Sequence, residues 1–382
     1  LHQEDMAPLG ALLPYWENRP RRLAIYRSFA ATLYNNLRWP ANDPFSKIVN
    51  SLGLPYDVIM DQDFEDNRNL LQGYQMVIIP EAPVITKAAA DQLRKFLDQG
   101  GKVVADDMWQ EALPGVTKLV FGKNSDTGFL ARKEQELLAR YGSTDHPLFI
   151  EGMQQAMEEY LRTGGSNSQA YALIRDKVRM EAAASTPSVF LNLLRSGRAN
   201  YVAVVNDLRK PGRYYGHFGR SLDEGVAQTT QLTLDPSLGK AAYLLSGTEA
   251  RKLASGTSGL SCSLDLPAAG GRVVVVLPEE IGGISLTSNA SGQMARGSFV
   301  KLEGKLTSVS GQPVPGLIPV RVKITDAAGQ ESDFTHYGAF KEGRWSFSLP
   351  IALNAAPGAC KIELTELASN RQALITLNVG QK

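Results

Sequence analysis

Cysteine is nearly missing from this chain: two among 382 residues, Cys262 and Cys360, about a hundred positions apart. That spacing excludes a disulfide framework and a Cys-rich zinc site. Histidine is almost as sparse. His2, His146, His217 and His336 are scattered without metal-ligand spacing, so neither a metal nor another cofactor is expected. Net charge is missing too. Forty Lys and Arg against 39 Asp and Glu leave +1, which gives no electrostatic case for nucleic acid or an anionic membrane as partner. No run of about 18 apolar residues is present, so no membrane-spanning helix is expected. The opening LHQEDMAPLG has neither a basic start nor an apolar stretch, unlike a signal peptide. It also has no initiator Met, so the chain is expected to be a processed product or a piece of something longer.

What is present reads as three regions joined by a helical bridge, since 382 residues exceed one ordinary core. Residues 1–145 alternate strand and helix. Arg22–Tyr26, Tyr56–Met60, Gln75–Ile79 and Lys102–Ala105 are short apolar runs that suit buried strands. A helix is expected near Pro44–Leu52, with Phe45, Ile48, Val49 and Leu52 at helical spacing. Thr86 should cap a second helix, in which Ala89, Leu93, Phe96 and Leu97 share one face and Gly100–Gly101 form the stop. This rhythm predicts an α/β domain, a flavodoxin-like parallel sheet covered on both faces. Residues 146–171 form the bridge. Gly128–Arg140 and Ile150–Arg162 read as helices, and Thr163–Gln169 as a loop. Residues 172–288 and 289–382 carry short alternating segments separated by Gly, Pro, Asn and Asp, which predicts two all-β sandwich domains, the second immunoglobulin-like. In the first of them Val178–Ala183, Val189–Leu194, Tyr201–Val205, Thr229–Leu234 and Arg272–Leu277 should be strands, and Arg209–Gly225 a long insertion.

In open parallel sheets ligands bind beyond the carboxyl ends of the strands. Here those ends are Arg27–Ser28, Asp61, Glu81 and Asp106–Asp107. The stretch GGKVVADDMW places two carboxylates where many α/β enzymes carry a nucleophile. Two readings stand. Asp106, Asp107 and Glu81 could share a cleft, shift one another's pKa and serve as acid and base, or hold a hard cation. Alternatively, Asp caps the turn, its commoner use. Arg27 and Ser28 could hold an anion or a sugar hydroxyl, or cap the first helix. The loop around Tyr214, Tyr215 and His217 could offer a stacking platform for a carbohydrate ligand, or pack against a neighbouring domain. No G-x-S-x-G, Walker A or G-x-G-x-x-G motif is present.

The order QMVIIPEAPVITKAAADQLRKFLDQGGKVVADD, residues 75–107, resembles the class I glutamine amidotransferase-like fold. It is most similar to the version that serves as the trimerisation domain of family-42 β-galactosidases. The features that carry the resemblance are the strand ending at Pro80–Glu81, the helix that follows, the Gly100–Gly101 break and the strand running into a turn. The resemblance covers roughly residues 20–145. It implies a Cys at the turn, flanked by glycines, with a later His-x-Glu pair. Here that position falls at or next to Asp107, and the Cys, the glycines and the pair are all absent. The resemblance therefore implies a domain without the amidotransferase activity, used for assembly into homo-oligomers. LLRSGRANYVAVVND and LPAAGGRVVVVLP are similar to the β-rich C-terminal parts of large bacterial glycoside-hydrolase-like proteins. In those a catalytic (β/α)₈ barrel comes first. No eight-fold βα pattern fits here, so an upstream catalytic domain would lie outside this chain. The sparse, unpaired cysteines permit cytoplasm or periplasm, and the polar-turned sandwiches lean slightly toward a secreted or periplasmic setting.

Overall fold

The computed structural model describes residues 7–34, 49, 54–106, 108–119, 126–162, 173–174, 176–186, 188–215, 221–290 and 293–380, without the side chains of 126–131, 154, 157–162, 210–215 and 221–223. A short strand, β1 (Glu17–Asn18), precedes the α/β domain. Then come β2 (Leu23–Arg27), β3 (Asp57–Met60), β4 (Met76–Ile79), β5 (Lys102–Asp106) and β6 (Thr117–Leu119). The last five form one sheet in the order β3-β2-β4-β5-β6, every pair parallel. The expected α/β class is what the chain adopts.

The apolar runs have a reason: both faces of this sheet are covered. One face (Tyr26, Ile59, Val77, Ile79, Val103) packs with Phe64, Leu93 and Phe96. Leu93 and Phe96 belong to the helix Lys87–Asp98, whose N-cap Thr86 accepts the Ala89 amide through its hydroxyl, at 3.3 Å. Burying these two side chains contributes roughly 1.5–3 kcal/mol each. The other face (Leu23, Ile25, Met76, Ile78, Val104) packs on Val49, Leu54, Ile174 and Val178. Val178 was expected in a strand. It instead closes a helical turn, its amide bonded to the Ile174 carbonyl at 2.9 Å, because the parallel sheet needs an apolar lid there. Of the expected helix Pro44–Leu52, only Val49 is described, and it is helical and buried; the rest lies outside the described residues, as does Thr163–Gln169. The bridge folds as two helices, Asp126–Tyr141 and Pro147–Arg162.

The β-rich part begins with β7 (Ala182–Ala184), β8 (Val189–Ser196), β9 (Ala199–Asn206), β10 (Arg209–Tyr215), β11 (Ser221–Gly225) and β12 (Gln228–Leu234). It continues with β13 (Ala241–Leu245), β14 (Arg251–Ser255), β15 (Leu260–Leu266) and β16 (Gly271–Leu277). A six-stranded sheet, β1-β8-β9-β16-β13-β14, faces a three-stranded one, β15-β12-β7. Burial explains the two sequence styles. The six-stranded sheet packs on β15 and β12 with one face and on the last domain with the other, so Val273–Val276 is a continuous apolar run. In the three-stranded sheet Leu260–Leu266 alternates buried and exposed at every residue, as one solvated face demands. Within the expected insertion, β10 and β11 pair as antiparallel strands, and β10 runs beside the helix Pro147–Arg162.

The final domain holds β17 (Ile281–Ser288), β18 (Gln293–Met294), β19 (Phe299–Ser308), β20 (Leu317–Thr325), β21 (His336–Lys341), β22 (Arg344–Pro350), β23 (Gly358–Glu366) and β24 (Gln372–Val379). They run β17-β19-β22-β21-β20-β23-β24-β18. The β21–β22 pairing is only Lys341 with Arg344, at the hairpin corner. The ladder thus folds back there into two facing halves, a sandwich. A Cβ on Gly304 of β19 would lie 2.8 Å from Leu364 and 3.1 Å from Phe340 across the core. Cys262 and Cys360 are buried free thiols in separate cores, and burial raises both thiol pKa values.

One core runs between the two β domains, apart from the inner core of the first. Leu9 and Leu12, ahead of β1, are buried in it with Tyr201, Tyr243, Leu317 and Ile318. The Tyr201 hydroxyl donates to the Leu317 carbonyl at 2.9 Å and accepts from the Leu317 amide at 2.7 Å. Gly316 makes this approach feasible: at φ +75° a Cβ there would sit 2.4 Å from Ala199 and 2.8 Å from the Tyr201 hydroxyl. Among the described residues, no helix is long and apolar enough to cross a membrane.

Candidate functional site

The carboxyl edge of the parallel sheet gathers four of the expected residues. Ser28 follows β2 and caps the helix Phe29–Tyr34. Its hydroxyl accepts the Ala31 amide at 3.1 Å and reaches the Val84 carbonyl at 3.4 Å. Ser28 is buried. Arg27, beside it, is half-buried and keeps interactions of its own. Asp61, after β3, accepts the Tyr26 hydroxyl through Oδ1 and the Ala30 amide through Oδ2 at 2.9 Å. Burial, then the Asp61 contact, pushes the Tyr26 phenol above its ordinary range.

Asp106 ends β5 and is 3% exposed. One carboxylate oxygen accepts the Glu81 amide at 2.6 Å and the other the Met108 amide at 3.1 Å. Its carbonyl accepts the Trp109 amide at 3.2 Å. The carboxylate therefore ties the end of β4 to the turn that leaves β5. Glu81 holds φ +48°, in the left-handed region. A non-glycine residue there costs roughly 1–2 kcal/mol, and the short charge-assisted bond from its amide to Asp106 helps offset that. Glu81 and Asp106 both make further contacts. Asp107 lies outside the described residues.

Tyr214 and Tyr215 sit on β10, their side chains outside the described set, and His217 lies outside it altogether. The hairpin and the carboxyl edge belong to different domains. Ser28, Asp61, Glu81 and Asp106 are brought to one edge; the Asp106 carboxylate is bonded to two backbone amides, while Ser28 and Asp61 each accept one.

A second concave place escaped sequence reasoning. It lies where Arg19–Arg22 and Leu54–Pro55 meet Val178–Ala182 and Leu191–Leu193. Here Arg19 and Arg22 share the Glu181 carboxylate, at 2.8 and 3.6 Å. Arg19 and Glu181 are 162 positions apart. Nothing local signals such a pair; only an "RPRR" cluster before the first strand hints at it.

No family model matches this chain, and no curated protein sequence matches it. Several solved structures align with parts of this chain. The apo family-42 exo-carrageenase from Bacteroides ovatus aligns with 13% identity over 68% of this chain and 29% of its own, at a TM-score of 0.34. α-L-fucosidase isoenzyme 2 from Paenibacillus thiaminolyticus aligns with 12% identity over 71% of this chain and 51% of its own, at 0.42. The β-galactosidase from Bacillus circulans sp. alkalophilus aligns with 12% identity over 67% and 41%, at 0.34. The chain thus spans from under a third to about half of the length of these structures.

Proposed function

We propose that this chain is a non-catalytic accessory region of a carbohydrate-active, glycoside-hydrolase-like protein, with a degenerate amidotransferase-like domain and β-sandwiches as a scaffold. Its work is assembly, with copies of itself and with a catalytic domain of the same protein, and shaping of a cleft for a glycan ligand. The observation that carries this is the Asp106 carboxylate, buried and bonded to the Glu81 and Met108 amides, beside the position at or next to Asp107 where the resembling enzymes need a reactive cysteine. A carboxylate whose two oxygens hold backbone amides has a structural task of its own. Asp107→Ala should leave turnover by the whole protein largely unchanged. Loss of turnover with folding intact would reject the accessory role. Light scattering tests assembly, and a monomer at micromolar concentration would remove it.

One observation favours a second reading, a glycan hydrolase working through Glu81, Asp106 and Asp107. Strained left-handed backbone, as at Glu81, gathers at working sites. That mechanism needs two carboxyl groups facing one cleft at about 5–10 Å. The backbone bonds of Asp106 favour the first reading.

A further inference from the structure

We infer that the cleft between the parallel-sheet domain and the first β domain binds the carboxylate of an acidic ligand the size of a monosaccharide. The saccharide part of this inference rests on the carbohydrate reading above; the anion part stands on the cleft itself. Four guanidinium groups line it, and two of them are already matched. Arg21 pairs with Asp57 at 3.0 Å, and Arg179 with Asp235 at 2.9 Å. Arg19 and Arg22 remain, and among the described residues one carboxylate, Glu181, serves both. One positive charge is therefore left over at a site where the Glu181 side chain is only 8% exposed.

The accessible donors belong to Arg22. The Nε atoms of Arg19 and Arg22 are buried and shut off from a ligand, and both Nη atoms of Arg19 are engaged by Asn200 and Glu181. The Arg22 side chain is 34% exposed and pairs with Glu181 only at 3.6 Å, and a planar carboxylate is the acceptor that a guanidinium edge fits best. Arg19 is held in place. Its Nη1 donates to Asn200, whose own side-chain amide donates to the Leu238 carbonyl at 2.6 Å. The cleft is partly open, with a cavity of about 30 Å³ at its inner end, room for roughly one water or one small polar head group. A sugar ring would lie in the mouth, against Leu54, Pro55 and Met180, whose apolar surfaces suit the face of a pyranose.

The test is calorimetric titration of the full chain with sodium D-glucuronate, sodium acetate and D-glucose at fixed ionic strength. Both anions should bind and glucose should not. Arg22→Gln should weaken glucuronate by about tenfold, the loss of one charge-assisted contact. Glu181→Gln should act the opposite way and tighten it, because it removes the carboxylate that competes for both arginines. A purely structural ion pair would not produce that rise. Binding of acetate without glucuronate would keep the anion site and take the sugar away from it, a failure of the carbohydrate reading. Binding of neither anion, or the same binding in Arg22→Gln, would overturn the site itself.

Discussion

Two turns in different domains use the same device. In the parallel-sheet domain the Asp106 carboxylate accepts the Glu81 and Met108 amides. In the last sandwich Glu366, fully buried at the end of β23, accepts the amides of Ala368, Ser369 and Arg371 at 2.9–3.0 Å, and the Ser369 hydroxyl as well. Each carboxylate holds a stretch of chain that contains a left-handed, non-glycine residue: Glu81 at φ +48° and Asn370 at φ +61°. Glu366 sits among sandwich turns where no chemistry is expected. Its likeness to Asp106 shows that an acid at a strand end, buried among amides, is sufficient as a clamp and needs no active site to explain it. The difference lies in the residue being held. Asn takes the left-handed region at little cost, while Glu does so at some expense.

The comparison breaks most visibly at Glu366. Glu366→Ala leaves the buried Ala368 amide and the part-buried Ser369 and Arg371 bonds without their acceptor, so unfolding free energy should fall by about 3 kcal/mol. Denaturant titration measures it, and a loss under about 1 kcal/mol would mean that water satisfies the turn. Asp106→Ala removes fewer partners. The expected loss is about 2 kcal/mol, with Asp106→Asn costing less because one amide keeps an oxygen to bond. If Asp106→Asn kept its stability but abolished turnover by the whole protein, the clamp would no longer account for this residue.

Periodicity made much of the fold legible. The Thr86 cap, the helix Lys87–Asp98 and strands such as Phe299–Ser308 follow from spacing, because each buries one face at a fixed period; Ile281–Ser288, which does not alternate regularly, was not expected. The missed strands divide by cause. Leu260–Leu266 alternates throughout and could have been read. Arg251–Ser255 is an edge strand with no buried residue, so it carries no pattern. Leu9, Leu12 and β1 dock on the β domains through partners some 180 positions away, beyond the reach of any local signal. The candidate site divides in the same way. Residue types at the strand ends were visible, but the direction of Asp106 toward the Glu81 amide depends on β4 and β5 lying side by side. The Arg19–Arg22–Glu181 cluster exists only once three segments meet.

The smallest expected effect sharpens the comparison most. Glu81→Asn puts into the first turn the residue type that the second turn already has. Asn is at ease at φ near +50°, so relief of backbone strain should raise stability by about 0.5–1 kcal/mol. Asn370→Ala, an exposed position with the same backbone, is the mirror experiment and should lose about 1 kcal/mol. If both hold, the two turns are equivalent, and Glu at position 81 is a stability cost that its side chain must justify. If Glu81→Asn instead loses stability, the contacts of the Glu81 side chain outweigh its strain and the residue belongs to the clamp. A third outcome is a gain in stability with a loss of turnover by the whole protein. That is the pattern of a residue held in strain for function, and it would return the carboxyl edge of the parallel sheet to catalysis.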